Sequence, residues 1–154
     1  IFNKIQSTLI HDWENIYGVR VLPIVQTYDR SNYPNANEIN RKSLREAIRI
    51  LREPGNIVVV APEGTRSDKN KLLPAEDGFE ILLKLGGKNV LTLGLAGVHK
   101  TILPGRKTIV TAVKPTSLEE LKARQKTNLN LSITDISMYD LAASLPPQNR
   151  GFYK

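Results

Sequence analysis

Residues 57–67 read IVVVAPEGTRS, an apolar run that ends abruptly in a proline, an acid, a glycine and a base. A continuous run of β-branched residues is typical of a strand buried on both faces of a parallel sheet. In open α/β sheets, ligands bind beyond the carboxyl ends of the strands, and residues 63–67 fall at such an end. The stretch therefore predicts both a central sheet and a binding site at its edge.

The residue types in this stretch favour an anion site. Gly64 can adopt backbone angles that bring amide groups close to an anion, and Arg66 offers a planar fork that matches two phosphate oxygens. Thr65 and Ser67 add hydroxyl donors, and Glu63 can pair with an arginine or accept a hydrogen bond from a substrate hydroxyl. The alternative is a surface turn tied by a Glu63–Arg66 salt bridge.

Helices alternate with apolar strands on both sides of this stretch. We therefore predict an α/β fold, with a mostly parallel and possibly mixed central sheet flanked by helices on both faces, in a single domain over residues 1–154. The predicted strands are 19–27, 57–61, 90–96 and 108–113, and the predicted helices are 1–18, 35–53, 75–85, one capped by Ser117-x-x-Glu120, and one through Met138 and Leu145.

The composition limits the possible functions. In 154 residues, Lys+Arg number 22 and Asp+Glu 15, a net charge of +7 that favours phosphate-bearing partners. The absence of cysteine excludes disulfides, thiolate metal sites and cysteine nucleophiles, and two distant histidines predict no metal site. Aromatic residues are few (6%) and not interleaved with basic ones, so nucleic-acid binding is disfavoured. No apolar run approaches the roughly 18 residues of a membrane-spanning helix.

The segment APEGTRS, residues 61–67, resembles the third motif of the glycerolipid acyltransferases, the family of 1-acylglycerol-3-phosphate acyltransferases. That motif is usually written FPEGTRS. Ala61 stands where that motif has phenylalanine. The flanking segments are also similar to the family: an arginine-bearing TYDR at 27–30, a following helix RKSLREAIRILREPG, and the stretch Leu72-Leu73-Pro74 with Gly78. The final LPPQNRGFYK is similar to the end of many bacterial members, so the resemblance covers residues 19–154.

The resemblance implies a site for the phosphate and glycerol of a lysophosphatidate-like acceptor. Arg30, Glu63 and Arg66 would hold the acceptor, and Gly64 and Thr65 would shape the binding site around its phosphate. Arg41 competes with Arg30 for the role of upstream phosphate ligand. The full set of predicted substrate-binding residues is Arg30, Glu63, Gly64, Thr65, Arg66 and Ser67.

The resemblance also implies an acyltransferase of phospholipid biosynthesis that uses acyl-CoA or acyl-carrier protein as co-substrate and needs no other cofactor. We expect a cytoplasmic protein, peripheral to the cytoplasmic membrane face. An arginine stripe on one helix could contact anionic headgroups. The alternative is a non-catalytic peripheral domain of the same fold that binds anionic lipid. The stripe consists of Arg41, Arg45, Arg49 and Arg52.

The sequence departs from the family in its catalytic pair, a histidine and an aspartate separated by four residues. His11 is followed five positions later by Ile16, and His99 by Pro104. A base must take the proton of the acceptor hydroxyl, and a carboxylate must orient that base. No catalytic residue is therefore assigned within this chain. Because the chain opens at Ile1 and the family's pair lies upstream of the matching segment, we expect the catalytic segment to precede these residues.

Overall fold

The computed structural model describes residues 18–64, 71–76, 78–87, 89–97 and 108–154. The chain divides into two compact units, residues 1–47 and residues 48–154. The predicted helix over 1–18 lies, except for Gly18, outside the described residues.

In the first unit, an irregular segment over 18–26 leads into a 3-10 turn, Thr27–Asn32, and then into helix α1, Ala36–Arg52, which continues into the second unit from Ile48. Val25 bonds to the Asn40 side chain through both of its backbone groups. Its N–H donates to Oδ1 at 2.7 Å, and its carbonyl accepts from Nδ2 at 2.9 Å. The predicted strand over 19–27 is therefore wrong, because these backbone groups bond to a helix side chain rather than to a neighbouring strand.

Helix α1 confirms the predicted start after Asn35 and the predicted end before Pro54-Gly55. Gly55 has φ of +85°, in the left-handed region that ends many helices. Of the predicted core positions, Ala47 is buried, whereas Leu44, Ile48 and Leu51 are half-buried.

Helix α2, Gly78–Leu85, ends close to the last turn of α1. A Cβ atom at Gly86 would lie 3.1 Å from the Ile48 Cα, so the two backbones approach closely there. Arg52 donates from Nε and Nη2 to the Leu85 carbonyl at 3.3 and 3.1 Å, which satisfies an acceptor at the end of α2. The predicted helix over 75–85 is confirmed with a later start.

The apolar run over 57–61 is irregular in structure, and its side chains are open to solvent except for the half-buried Val58. Ile57 is 84% exposed and Val59 is 91% exposed. The predicted strand buried on both faces is wrong for the structure as described. A strand is buried only by neighbours, and within the described ranges no strand is hydrogen-bonded to this run.

The described strands form two antiparallel pairs. Strand β1, Asn89–Val90, pairs with β4, Thr116–Ser117, and strand β2, Leu93–Ala96, pairs with β3, Ile109–Ala112. The predicted strand over 108–113 is thus confirmed with shorter bounds, whereas the single strand predicted over 90–96 is divided into β1 and β2, which belong to different sheets. The mostly parallel central sheet stays a prediction, because these two pairings alone do not build such a sheet.

Helix α3, Leu118–Thr127, confirms the predicted cap at Ser117. The Glu120 N–H donates to the Ser117 Oγ at 3.1 Å, and the Ser117 N–H donates to a Glu120 carboxylate oxygen at 2.8 Å. The carboxylate of Glu120 is held in its ionised form by these bonds to Ser117, so its pKa is lowered.

Helix α4, Ile133–Ala143, confirms the predicted last helix and carries a second capping box from Ser132 and Asp135. Arg124 of α3 forms a bidentate ion pair with Asp140 of α4, with Nη1–Oδ2 and Nη2–Oδ1 distances of 2.7 and 2.8 Å. Together these two helices contribute residues to both buried clusters of the second unit. One buried cluster consists of Leu83, Leu121, Ile133 and Ile136, and another consists of Leu72, Met138, Ala142, Leu145 and Tyr153.

None of the helices in the described part of the chain has the combination of length and hydropathy needed to cross a membrane.

Candidate functional site

The predicted site residues Glu63 and Gly64 lie in a four-residue turn over 61–64, which we name the EG turn. The Gly64 N–H donates to the Ala61 carbonyl at 3.0 Å and closes the turn. Pro62 fixes its own φ, and Gly64 has φ of +64°, which a residue with a Cβ atom adopts only under strain. The sequence thus encodes this turn through one rigid and one permissive residue.

A second stretch, residues 72–76, anchors the EG turn, and we name it the return stretch. The Glu76 N–H donates to the Pro62 carbonyl at 2.8 Å. The Leu73 N–H donates to the Glu63 Oε2 at 2.7 Å. Both the backbone of the turn and its acidic side chain are therefore held by backbone N–H groups of the return stretch.

Two opposing effects set the charge state of Glu63. Partial burial raises the pKa of the carboxyl group above its ordinary value of 4.5, because burial penalises the ionised form. The hydrogen bond from Leu73 acts in the other direction and lowers the pKa, but burial is the larger effect. The carboxyl group of Glu63 therefore holds a proton to a higher pH than a fully exposed glutamate does.

The second carboxylate oxygen of Glu63, Oε1, makes no hydrogen bond within the described ranges of the chain. An ionised carboxylate has about four acceptor positions, and a single N–H uses one of them. Glu63 can therefore accept a hydrogen bond from a ligand hydroxyl while Leu73 fixes its orientation.

Arg30 lies in the 3-10 turn of the first unit and is exposed. Its carbonyl accepts from the Tyr33 N–H at 3.1 Å, which closes the end of that turn. The competing candidate Arg41 is exposed on the second turn of α1. Both guanidinium groups are therefore open to solvent in the unit that carries them.

The remaining predicted ligands, Thr65, Arg66 and Ser67, lie outside the described residues, as do both histidines. Analysis of the sequence did not foresee the part played by Leu73 and Glu76. Every residue except proline has a backbone N–H, so no side-chain pattern marks these two as donors. The signal that singled out Leu72-Leu73-Pro74 was the resemblance alone.

Comparisons with known proteins agree with the sequence motif. A family model described as acyltransferase matches residues 1–96, a range that includes the EG turn. The chain is 35% identical over 71 residues to a 1-acyl-sn-glycerol-3-phosphate acyltransferase of Limnanthes alba, and equally to one of Limnanthes douglasii. The aligned part is 46% of this chain and 24% of each relative, so the chain spans about a quarter of their length. No solved structure matches the chain.

Proposed function

This chain belongs to the acyltransferase family, and we propose that it binds the acceptor in an enzyme that acylates a lysophosphatidate-like glycerol phosphate. The acyl donor in this proposal is acyl-CoA or acyl-carrier protein. The family match and the name shared by the two plant relatives support it. The EG turn is the structural observation that carries it.

The proposed reaction is transfer of an acyl group from a thioester to a hydroxyl. The acceptor oxygen attacks the thioester carbonyl, a C–O bond forms, the C–S bond breaks, and the hydroxyl proton ends on the leaving thiol. A general base is needed to carry that proton. This sequence has no histidine followed five positions later by aspartate. We therefore assign its residues to binding and orienting the acceptor rather than to proton transfer.

Glu63 and Gly64 have the properties that acceptor binding needs. The Oε1 atom of Glu63 can accept a hydrogen bond from a glycerol hydroxyl, because Leu73 occupies only Oε2. Gly64 keeps the backbone beside it free of a Cβ atom, which allows a phosphate to approach closely. In the proposal, Arg66 supplies the positive charge for that phosphate.

The full-length protein tests the proposal in an assay with labelled acyl-CoA or acyl-carrier protein and lysophosphatidate. Arg66→Ala should lower kcat/KM for the acceptor about 10- to 100-fold, the loss expected for a charge-assisted hydrogen bond. Lys122→Ala removes an equal charge from the exposed face of α3 and is the matched control. Unchanged acceptor kinetics for Arg66→Ala would remove this residue from the site, and a wild-type protein without transfer would refute the proposed reaction.

A second candidate is a peripheral domain that binds anionic lipid without catalysis, and the exposed Arg41 and Arg45 on α1 favour it. Either function would hold the protein at the cytoplasmic membrane face through the basic residues. Vesicles of phosphatidylglycerol and of phosphatidylcholine, tested with the full-length protein, measure this contact. The double variant Arg41→Gln/Arg45→Gln should bind anionic vesicles more weakly and with a shallower salt dependence. Vesicle binding together with an absence of acyl transfer would favour the second candidate.

A further inference from the structure

We propose that residues Asn149–Tyr153, which we name the clamp segment, position the Glu63 carboxylate for acceptor binding by fixing the return stretch. The proposal rests on the proposed function for the identity of the ligand. It assigns Tyr153 and Gly151 as positioning residues, since neither contacts the EG turn in the hydrogen bonds described above.

The clamp segment holds Leu72 through both of its backbone groups. The Leu72 N–H donates to the Asn149 carbonyl at 3.0 Å, and the Leu72 carbonyl accepts from the Phe152 N–H at 3.1 Å. Leu72 directly precedes Leu73, the donor to Glu63. A shift of the clamp segment would therefore move the donor that orients the carboxylate.

Tyr153 makes the third contact with the return stretch. Its hydroxyl accepts from the Ala75 N–H at 3.2 Å. Its ring is only 3% exposed and lies in the same buried cluster as Leu72, which is 7% exposed. The ring also meets Tyr139 edge-on, with centroids 5.3 Å apart. Because the ring is buried and its hydroxyl is hydrogen-bonded, Tyr153 restricts the position of the Ala75 backbone.

Gly151 allows the clamp segment to approach the return stretch. It has φ of +56°, and a Cβ atom there would lie 2.1 Å from the Leu72 carbonyl oxygen and 2.6 Å from the Leu72 nitrogen. No side chain fits in that space unless one backbone moves. Glycine is therefore required on two independent grounds, the backbone angle and the close approach.

Along the return stretch, the backbone donors alternate between the clamp segment and the EG turn. Leu72 donates to the clamp segment and Leu73 to the turn; Pro74 has no N–H; Ala75 donates to the clamp segment and Glu76 to the turn. A stretch without regular secondary structure is thus fully bonded on its donor side. This alternation couples the two partners, because neither set of bonds can shift without the other.

Tyr153→Phe in the full-length protein tests the coupling, because it removes the acceptor for Ala75 and keeps the buried ring. We expect the acceptor KM to rise about fivefold, the effect of one lost hydrogen bond, with kcat within about twofold of wild type. We also expect faster hydrogen exchange at the Ala75 and Leu73 amides. Tyr139→Phe is the matched control, since it removes a hydroxyl from the neighbouring ring and leaves the contacts of the return stretch in place.

Gly151→Ala should displace the backbone of the clamp segment from Leu72. It should therefore raise the acceptor KM more than Tyr153→Phe does. An unchanged acceptor KM in Tyr153→Phe, or equal changes in Tyr153→Phe and Tyr139→Phe, would overturn the proposal. Faster exchange at Ala75 without any change at Leu73 would also overturn it. If the wild-type protein transfers no acyl group, the proposed function fails, while amide exchange still reports whether the clamp segment controls Leu73.

Discussion

The Glu63 carboxylate accepts a hydrogen bond from the Leu73 backbone N–H at 2.7 Å, across ten positions of sequence. The donor cannot be removed by changing a side chain, so the orientation of this carboxylate depends on the path of the return stretch. The carboxyl group itself is partly buried, and that burial raises its pKa. Together these facts make Glu63 the residue of the described site that is most sensitive to pH and to backbone shifts.

Glu63→Gln should change how the stability of the protein depends on pH. Because the folded-state pKa is raised above 4.5, the stability contributed by the carboxyl group is complete below 4.5 and is lost as pH rises through the raised pKa. Glutamine does not titrate, so the variant should gain stability relative to wild type over that interval. Urea unfolding at several values from about pH 4 to about pH 7 measures the difference.

Glu119→Gln is the control for this experiment, since Glu119 is an exposed carboxylate on α3. A difference between Glu63→Gln and wild type that is constant with pH, or that falls as pH rises, would contradict the raised pKa.

Gly64→Ala should destabilise the protein by about 1–2 kcal/mol, because a residue with a Cβ atom is strained at φ of +64°. Gly64→Asn should lose less, since asparagine tolerates the left-handed region better. The control is Gly78→Ala at the start of α2, where an added Cβ would meet nothing within 4 Å. Chemical denaturation measures all three variants, and an equal loss for alanine and asparagine would argue against backbone strain.

Arg30→Ala and Arg41→Ala separate the two candidates for the upstream phosphate ligand. Replacing the arginine that binds the phosphate should raise the acceptor KM about 10-fold or more, because a hydrogen bond to a charged group is lost. The other arginine, an exposed cation, should change the acceptor KM less than about twofold. Steady-state kinetics with varied lysophosphatidate decide between them, and equal small effects would exclude both.

Gly94→Ala should destabilise the second unit by about 1–3 kcal/mol through overpacking. An added Cβ in strand β2 would lie 2.2 Å from the Ser144 Oγ and 3.1 Å from the Leu145 Cδ2. The Ser144 hydroxyl is held by its bond to the Leu141 carbonyl at 2.6 Å, so it does not turn away freely. The same change in a Ser144→Ala background should therefore cost less, and strictly additive unfolding energies would exclude the clash.

The helices were predictable because their signals are local. Spacing of apolar residues and the glycine after Pro54 defined α1, and the pair Ser117 and Glu120 defined the start of α3. Ser132 and Asp135, also three positions apart, form the same kind of cap at the start of α4. Helix caps are formed by residues three positions apart, so they can be recognised without knowledge of the tertiary structure.

The strands and the support of the site were less predictable because they depend on distant partners. Nothing in the residues around Val25 indicates that Asn40 would take both of its backbone groups. The residue types at Glu63 and Gly64 predicted an anion site, whereas nothing in the sequence predicted the hydrogen bond between Glu63 and Leu73. A side chain's chemistry is fixed by its type, but the partner of a backbone N–H is decided by the fold.

The solvent-facing valines and isoleucine at 57–60 have a practical consequence for handling this polypeptide. An uncharged, β-branched run without proline matches the composition of segments that stack into intermolecular ribbons. Within the described ranges no strand is paired with this run, so its backbone offers a template for a second molecule. Self-association of the polypeptide through this run should therefore increase with protein concentration.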